Sequence, residues 1–178
     1  YNAHDIDDGV RSGLLTLEQL DQVPLFAAFS RAARTDHPGL LGKRWLFESV
    51  RRMLSQQVYD VIDATRLQLQ AHRPASADEA RLMPALICFS SDMQQRSTEL
   101  KKFLRENLYR HPQVVDTTER AKKAIRALFN VYVVQPEQMP SGFTSQPDRL
   151  RAVADYIAGM TDRFALKEHQ RLTGKNLF

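Results

Sequence analysis

A chain of 178 residues, 43% hydrophobic and 26% charged, can bury one ordinary core, which excludes an intrinsically disordered protein. No apolar run approaches the roughly 20 residues of a membrane helix, so we expect no membrane partner, and the single cysteine, Cys88, excludes an internal disulfide. The net charge of +4 favours polyanionic partners without distinguishing nucleotides from nucleic acid. A cytoplasmic protein fits these properties.

The longest predicted element is a helix in the first half of the chain. Up to Gly39 the sequence is interrupted by glycine and proline, but none lies between Gly42 and Pro74. Apolar side chains recur there every three or four residues, which indicates one face of an amphipathic helix. They are Leu46, Val50, Leu54, Val58, Val61, Ile62 and Leu69. At roughly 1.5 Å per residue, a helix over 43–72 is about 45 Å long and would form the spine of the fold.

Three more long helices are predicted after Pro74. The first runs over 90–109, the second ends near Val133, and the third covers 148–171, with a loop rich in proline over 135–147. No segment shows the alternation that is typical of a strand. The sequence therefore predicts an all-α fold, with residues 1–178 as a single helical unit.

Several stretches resemble one known family. The opening YNAHDIDDG (1–9) resembles the segment that follows the last metal ligand in the dGTP triphosphohydrolase-like family of the HD superfamily, and the closing DYIAGMTDRFA (155–165) resembles that family's carboxyl-terminal signature. Between them, LYRH (108–111) and the arginine-rich helix with RRM (51–53) and VYDVI (58–62) match in the same order. The resemblance spans essentially the whole chain and implies the carboxyl-terminal part of an HD-domain phosphohydrolase.

This resemblance implies a metal-dependent hydrolase that cleaves a dNTP, either dGTP or several dNTPs, to a deoxynucleoside and inorganic triphosphate. The family binds a divalent metal such as Mg²⁺ or Mn²⁺ through a histidine, a His-Asp doublet and an aspartate, all of which would precede Tyr1. No catalytic or metal residue is therefore expected in this chain, and the isolated chain should be inactive. Residues 1–9 would end the helix of the HD core, and 43–178 would form the carboxyl-terminal helical region.

Tyr1 and Asp5 are the principal candidate substrate-binding residues. Their spacing of four places them on one helical face. By the resemblance, the Tyr1 ring packs against the deoxyribose and the Asp5 carboxylate accepts a hydrogen bond from the 3′-hydroxyl. The alternative is that Tyr1 is a core aromatic residue near a chain end. The neighbouring His4 is interpreted as solvent-facing or as a supporting residue rather than as part of the metal doublet.

Cations elsewhere in the sequence give weaker candidates. Lys43 and Arg44, with Phe47 beside them, could bind a triphosphate and stack a base at the start of the spine helix; the alternative is a pair of solvated cations beside core aromatics. The doublets Lys101-Lys102 and Lys122-Lys123 could bind single-stranded DNA, which some family members use as an effector. Solvated helix faces are the alternative. A homo-oligomer is also expected from the resemblance.

Two other functions compete with the dNTP triphosphohydrolase. One is an autonomous helical module that regulates a partner or binds nucleic acid without catalysis. The other is an HD phosphohydrolase that acts on nucleoside monophosphates or on guanosine tetraphosphate. The spacing of Tyr1 and Asp5 and the closing segment 155–165 disfavour both.

Overall fold

A computed structural model describes residues 1–177, and the chain divides into two compact units. The first is Tyr1–His111 and the second begins at Pro112. The regular elements of the described residues are all helical, without a strand, which confirms the all-α prediction. The division after His111 differs from the single unit that the sequence suggested, and the assignment of 1–9 and 43–178 to separate regions stays a prediction.

The first unit contains six α-helices. They are α1 (Asn2–Arg11), α2 (Leu17–Leu20), α3 (Pro24–Asp36), α4 (Gly42–His72), α5 (Ala77–Leu82) and α6 (Ser91–Leu104). A five-residue π-helical turn, Arg105–Tyr109, continues α6. The predicted helix over 90–109 is therefore confirmed in position, although its last turn is wider than an α-helix.

The spine helix is confirmed as α4, with 31 residues. It ends where Arg73 adopts a left-handed conformation, with φ of 44°, directly before Pro74, which cannot continue the helix. Its buried residues are Trp45, Leu46, Ser49, Met53 and Ala64. Apolar side chains further along the predicted stripe are largely exposed, and beyond Met53 only Ala64 of this helix is buried.

The core of the first unit lies where α1, α3, α4 and α6 meet. The fully buried apolar residues there include Ile6, Leu20, Leu25, Phe26, Met53, Leu100 and Leu104. The rings of Phe26 and Trp45 pack edge to face with centroids 6.2 Å apart, an arrangement favoured by the charge distribution of aromatic rings. The Trp45 indole N–H donates to the Ser30 carbonyl at 3.3 Å, so its polar atom is satisfied on burial.

A polar contact fixes α6 against α4. The Ser90 backbone N–H and hydroxyl both donate to the Asp60 carboxylate, at 2.8 and 2.6 Å. The same hydroxyl accepts the Met93 N–H at 3.2 Å, which caps the amino terminus of α6. One turn before Asp60 in α4, Gln57 donates to the Ser97 hydroxyl of α6 at 3.2 Å. These bonds hold the two helices that form the walls of the groove described below.

The second unit contains the remaining helices. They are α7 (Pro112–Val134), a 3₁₀ turn (Pro136–Gln138), α8 (Ser141–Thr144), α9 (Arg149–Ala158) and α10 (Asp162–Thr173). Its core is formed by Leu128, Tyr132, Met139 and Val153. The buried Tyr132 hydroxyl donates to Glu168 at 2.9 Å. None of the helices among residues 1–177 is long and apolar enough to cross a membrane.

The single helix predicted over 148–171 is wrong, because two helices occupy that stretch. The Thr161 hydroxyl accepts the Phe164 N–H at 3.3 Å and caps a new helix, while α9 ends at Gly159. No other helix approaches Gly159 closely among the described residues. A Cβ atom there would meet only the carbonyls of Asp155 and Tyr156, at 3.5 Å.

Candidate functional site

The first turn of α1 is held in place by the residues that follow it. Ile6 is fully buried, and Gly9 packs so closely that a Cβ atom would lie 2.8 Å from Cγ of Leu15 and 3.4 Å from Cδ1 of Leu108. Tyr1 is the amino-terminal cap residue, and its carbonyl accepts the Asp5 N–H at 2.9 Å. Tyr1 and Asp5 therefore bracket one turn of a helix that is anchored in the core.

Asp5 contacts a tyrosine from the far end of the same unit. The Tyr109 hydroxyl donates to Oδ2 of Asp5 at 2.5 Å. This bond to the carboxylate, together with partial burial and the negative charge of Asp5, raises the pKa of Tyr109 to about 12. Among residues 1–177, the other oxygen of Asp5, Oδ1, has no hydrogen-bond partner. The pair thus presents a positioned carboxylate oxygen beside an aromatic ring that is half exposed.

The π-helical turn places Tyr109 opposite Asp5. The Arg110 N–H donates to the Arg105 carbonyl at 3.1 Å, a spacing of five residues instead of the four of an α-helix. One extra residue in a turn rotates the side chains that follow by roughly a quarter of a circle relative to a regular α-helix. Such turns are rare and often lie at functional sites. The turn therefore determines which side chain of this helix end meets Asp5.

Tyr1 lies at the edge of a groove between α4 and α6. The groove has a volume of about 470 Å³. It is lined by Tyr1, Asn2, Ala3, Leu54, Gln57, Val58, Val61, Ile62, Phe89, Ser97 and Lys101. The Tyr1 side chain is fully exposed in this chain and lies at the lip of the groove. Lys101 is the one charged residue among these lining residues.

The other predicted substrate contacts lie further away. Lys43 and Arg44 are exposed in the first turn of α4, and Phe47 is 47% exposed. At roughly 1.5 Å per residue, Lys43 lies about 16 Å along the helix axis from Leu54, where the groove begins. The structure therefore does not bring Lys43, Arg44 or Phe47 to the groove of Tyr1, and their substrate role stays a prediction.

The remaining candidates are distributed over both units. His4 is exposed, in agreement with a solvent-facing residue. The doublet Lys101-Lys102 belongs to the first unit and Lys122-Lys123 to the second. Lys122 pairs with Glu119 at 2.7 Å, as expected for a solvated helix face. The effector role of these doublets stays a prediction.

Comparison with known proteins gives the family. The model of the phosphohydrolase-associated domain family matches residues 87–171. Deoxyguanosinetriphosphate triphosphohydrolase-like proteins are similar over 97% of this chain: that of Azoarcus sp. (strain BH72) is 45% identical over 174 residues, covering 46% of its own length. The protein of Bordetella pertussis is 44% identical, and the match covers 45% of that protein's length. The protein of Nitrosomonas europaea is 39% identical, and the match covers 46% of its length.

The chain belongs to the deoxyguanosinetriphosphate triphosphohydrolase-like family. It spans about half the length of the curated relatives that it matches. The identification confirms the resemblance first seen in the segments 1–9 and 155–165. Because the matched region extends over all but a few residues of this chain, it includes the helix that bears Lys101 and the turn that bears Tyr109.

A metal site is not formed by the part of this triphosphohydrolase-like chain that the structure describes. Within residues 1–177, no three histidine, cysteine, aspartate or glutamate side chains are grouped so that they could hold a metal ion. The residues present thus do not fit the divalent metal that the resemblance implies. That its ligands precede Tyr1 stays a prediction.

Sequence reasoning missed Tyr109 and Lys101 as site residues. Tyr109 was noticed only as part of the segment 108–111, and its partner Asp5 is 104 residues away, so no local spacing relates them. Lys101 was considered only as half of a basic doublet. The match of 108–111 to a family segment was the one signal that could have identified Tyr109, since nothing in the sequence predicts a π-helical turn.

Proposed function

We propose that this chain is the carboxyl-terminal part of a dNTP triphosphohydrolase and that it binds the sugar of the substrate. The longer protein would cleave a dNTP to a deoxynucleoside and inorganic triphosphate. The observation that supports this most is the Asp5 carboxylate, which Tyr109 orients one helical turn after Tyr1, while Tyr1 lies at the lip of a groove that has Lys101 in its wall. Each of these groups has a distinct task in binding a deoxynucleotide.

Asp5 would accept the hydrogen bond of the sugar 3′-hydroxyl. The Tyr109 hydroxyl occupies Oδ2 and fixes the carboxylate, which leaves Oδ1 for the substrate. A hydrogen bond to an ionised acceptor is stronger than one between neutral groups. A substrate without the 3′-hydroxyl would leave this oxygen unpaired as the site closes, and an unpaired polar group is costly when it is buried.

Tyr1 would select deoxyribose against ribose. Its ring is exposed at the lip of the groove and is free to lie against a sugar. A flat ring in contact with the 2′ carbon leaves no space for a 2′-hydroxyl, so ribonucleotides would be excluded by steric clash. This selection needs no polar group, which suits the largely apolar residues around Tyr1.

Lys101 would bind a phosphate oxygen of the substrate. An ammonium group is a compact positive charge that suits a phosphate, and no carboxylate lines the groove to compete for it. Lys43, Arg44 and Phe47 remain proposed contacts for the triphosphate and the base, although this chain alone does not bring them to the groove. The residues described here would bind and orient the substrate, and polypeptide outside them would supply the metal site and activate water.

Product analysis tests this proposal. The longer gene product and the 178-residue chain are each incubated with the four dNTPs and Mg²⁺ or Mn²⁺, and inorganic triphosphate and deoxynucleoside are quantified. We expect both products from the longer protein and neither from this chain alone, since its residues 1–177 form no metal site. Release of triphosphate by this chain alone would contradict the assignment of the metal site to other polypeptide.

The same assay, repeated with nucleoside monophosphates and guanosine tetraphosphate as substrates, separates the competing functions. A phosphatase for nucleoside monophosphates would release orthophosphate, and a hydrolase for guanosine tetraphosphate would release pyrophosphate. A module that binds nucleic acid without catalysis would release no product from any of these substrates. Assembly into a homo-oligomer and activation by single-stranded DNA are further proposals, which the dependence of the rate on protein and oligonucleotide concentration would test.

A further inference from the structure

The carboxyl-terminal half of α4 has an apolar face that the rest of the first unit leaves largely exposed. Beyond Met53 only Ala64 is buried in this helix. Leu54 is 50% exposed, Val58 49%, Ile62 45% and Leu69 44%. Successive members are separated by four, four and seven positions, so they lie on one helical face and form one stripe. A stripe of this kind is typical of a helix that packs against another element.

Two adjoining grooves follow this stripe. The groove of Tyr1 shares Val61 and Ile62 with a second groove of about 380 Å³, which continues to Leu69 and to the exposed Ile87. Contiguous apolar surface of this kind marks a site of macromolecular contact in a soluble domain. The second groove has few polar groups that could orient a small ligand, since its other lining residues are Thr65 and Arg66, and Arg66 is paired with Asp63 at 3.0 Å.

We propose that polypeptide of the longer phosphohydrolase, outside this chain, covers the stripe from Ile62 to Leu69 with an apolar helical face. This inference rests on the proposed function in one respect, namely that the chain is part of a longer protein. Relatives that match 97% of this chain have about twice its length, so they contain enough additional polypeptide to cover such a surface. The end of the groove near Tyr1 and Lys101 is left for the substrate.

Attachment through the same chain favours this occupant over a second copy. In a longer protein, the polypeptide that covers the stripe would be joined covalently to the surface that it covers. A linked segment is present at an effective concentration in the millimolar range. A second copy of the chain at lower concentration would therefore be displaced from the same surface.

Cysteine accessibility tests the proposal. Ile62→Cys, Leu69→Cys and Leu67→Cys are each made in a Cys88→Ser background, in this chain and in the longer protein. Leu67 is the matched control because it lies on the same helix, is 66% exposed and lines neither groove. The measurement is the rate of maleimide labelling over a range of protein concentrations, with helical content checked by circular dichroism.

We expect the three thiols to react at similar rates in the 178-residue chain. In the longer protein, the thiols at positions 62 and 69 should react at about one tenth of that rate or more slowly still, because a covered thiol reacts only through local opening. The control thiol should keep its rate. Equal rates at all three positions in the longer protein would overturn the proposal. So would protection that disappears on dilution, which would identify a second copy as the occupant.

Labelling does not depend on catalysis, so the two proposals can fail separately. Protected thiols in a longer protein that releases no triphosphate would refute the proposed function and leave the docking surface standing. An active longer protein with unprotected thiols at positions 62 and 69 would refute the docking surface alone.

Discussion

The hydrogen bond between Tyr109 and Asp5 joins the two ends of the first unit, and its removal has a predictable cost. Tyr109→Phe deletes the donor and keeps the ring. A hydrogen bond to a charged acceptor contributes about 1.5–3 kcal/mol, and an ordinary one about 0.5–1.5 kcal/mol. Because the Tyr109 side chain is 50% exposed, water competes for both partners. We therefore expect the lower range, about 0.5–1.5 kcal/mol of coupling between the two side chains.

A double-mutant cycle isolates this coupling. Asp5 lies in the first turn of α1, where a negative charge also interacts favourably with the helix dipole by about 0.3–1 kcal/mol. Asp5→Ala loses that interaction as well as the hydrogen bond. The helix-dipole contribution cancels when Asp5→Ala, Tyr109→Phe and the double variant are compared with the parent chain. The difference that remains belongs to the pair.

Urea unfolding followed by tryptophan fluorescence is the appropriate assay. The chain has one tryptophan, Trp45, which is buried in the core of the first unit. Its fluorescence therefore reports on the unit that contains both partners, even if the second unit unfolds separately. A coupling indistinguishable from zero, with Tyr109→Phe as stable as the parent chain, would show that the hydrogen bond does not fix the Asp5 carboxylate.

Three further predictions follow from the same structure. Because Tyr109 has its pKa raised to about 12 from an ordinary value of about 10, the stabilisation by its hydroxyl should be complete below about pH 10 and lost as the pH rises through 12. In Asp5→Ala, the ionisation of Tyr109, followed by tyrosinate absorbance, should move toward pH 10. Gly9→Ala should destabilise the first unit by about 1–2 kcal/mol: the 2.8 Å approach to Cγ of Leu15 places the overpacking cost in the upper part of its usual range, about 2–3 kcal/mol, and better helix propensity returns roughly 1 kcal/mol. Gly142→Ala, where the new methyl group meets nothing within 4 Å, is the control, and equal stabilities would contradict the packing. In the longer protein, Tyr1→Ala should narrow the ratio of kcat/KM between a dNTP and its NTP, and an unchanged ratio in a folded variant would remove Tyr1 from sugar selection.

Elements with a sustained apolar period were predictable from the sequence. The spine helix was placed within one residue of Gly42–His72, because no glycine or proline interrupts its stripe. The break between α9 and α10 was not foreseen, since the apolar period continues across it and the decisive interaction is one capping bond from the Thr161 hydroxyl. The exposure of Ile62 and Leu69 could not be predicted either, because periodicity identifies an apolar face but not the element that packs against it.

The candidate site was predictable only in part. The resemblance identified Tyr1 and Asp5, and the structure places them in an anchored helical turn. The partner of Asp5 could not be found from local spacing, because Tyr109 reaches it through the packing of α6 against α1 and through a π-helical turn. The place of Lys101 in the groove could not be predicted for the same reason, because helix packing decides which residue of a basic doublet lines the groove.

The most direct test of the sugar-binding claim compares a dNTP with its 2′,3′-dideoxy analogue in the longer protein. If Asp5 accepts the 3′-hydroxyl, the parent protein should prefer the dNTP in kcat/KM by on the order of 10–150-fold, which corresponds to about 1.5–3 kcal/mol for a hydrogen bond to a charged group. Asp5→Ala should lose activity on the dNTP and turn over both substrates at nearly equal kcat/KM. An Asp5→Ala variant that keeps the parent's preference would contradict the account.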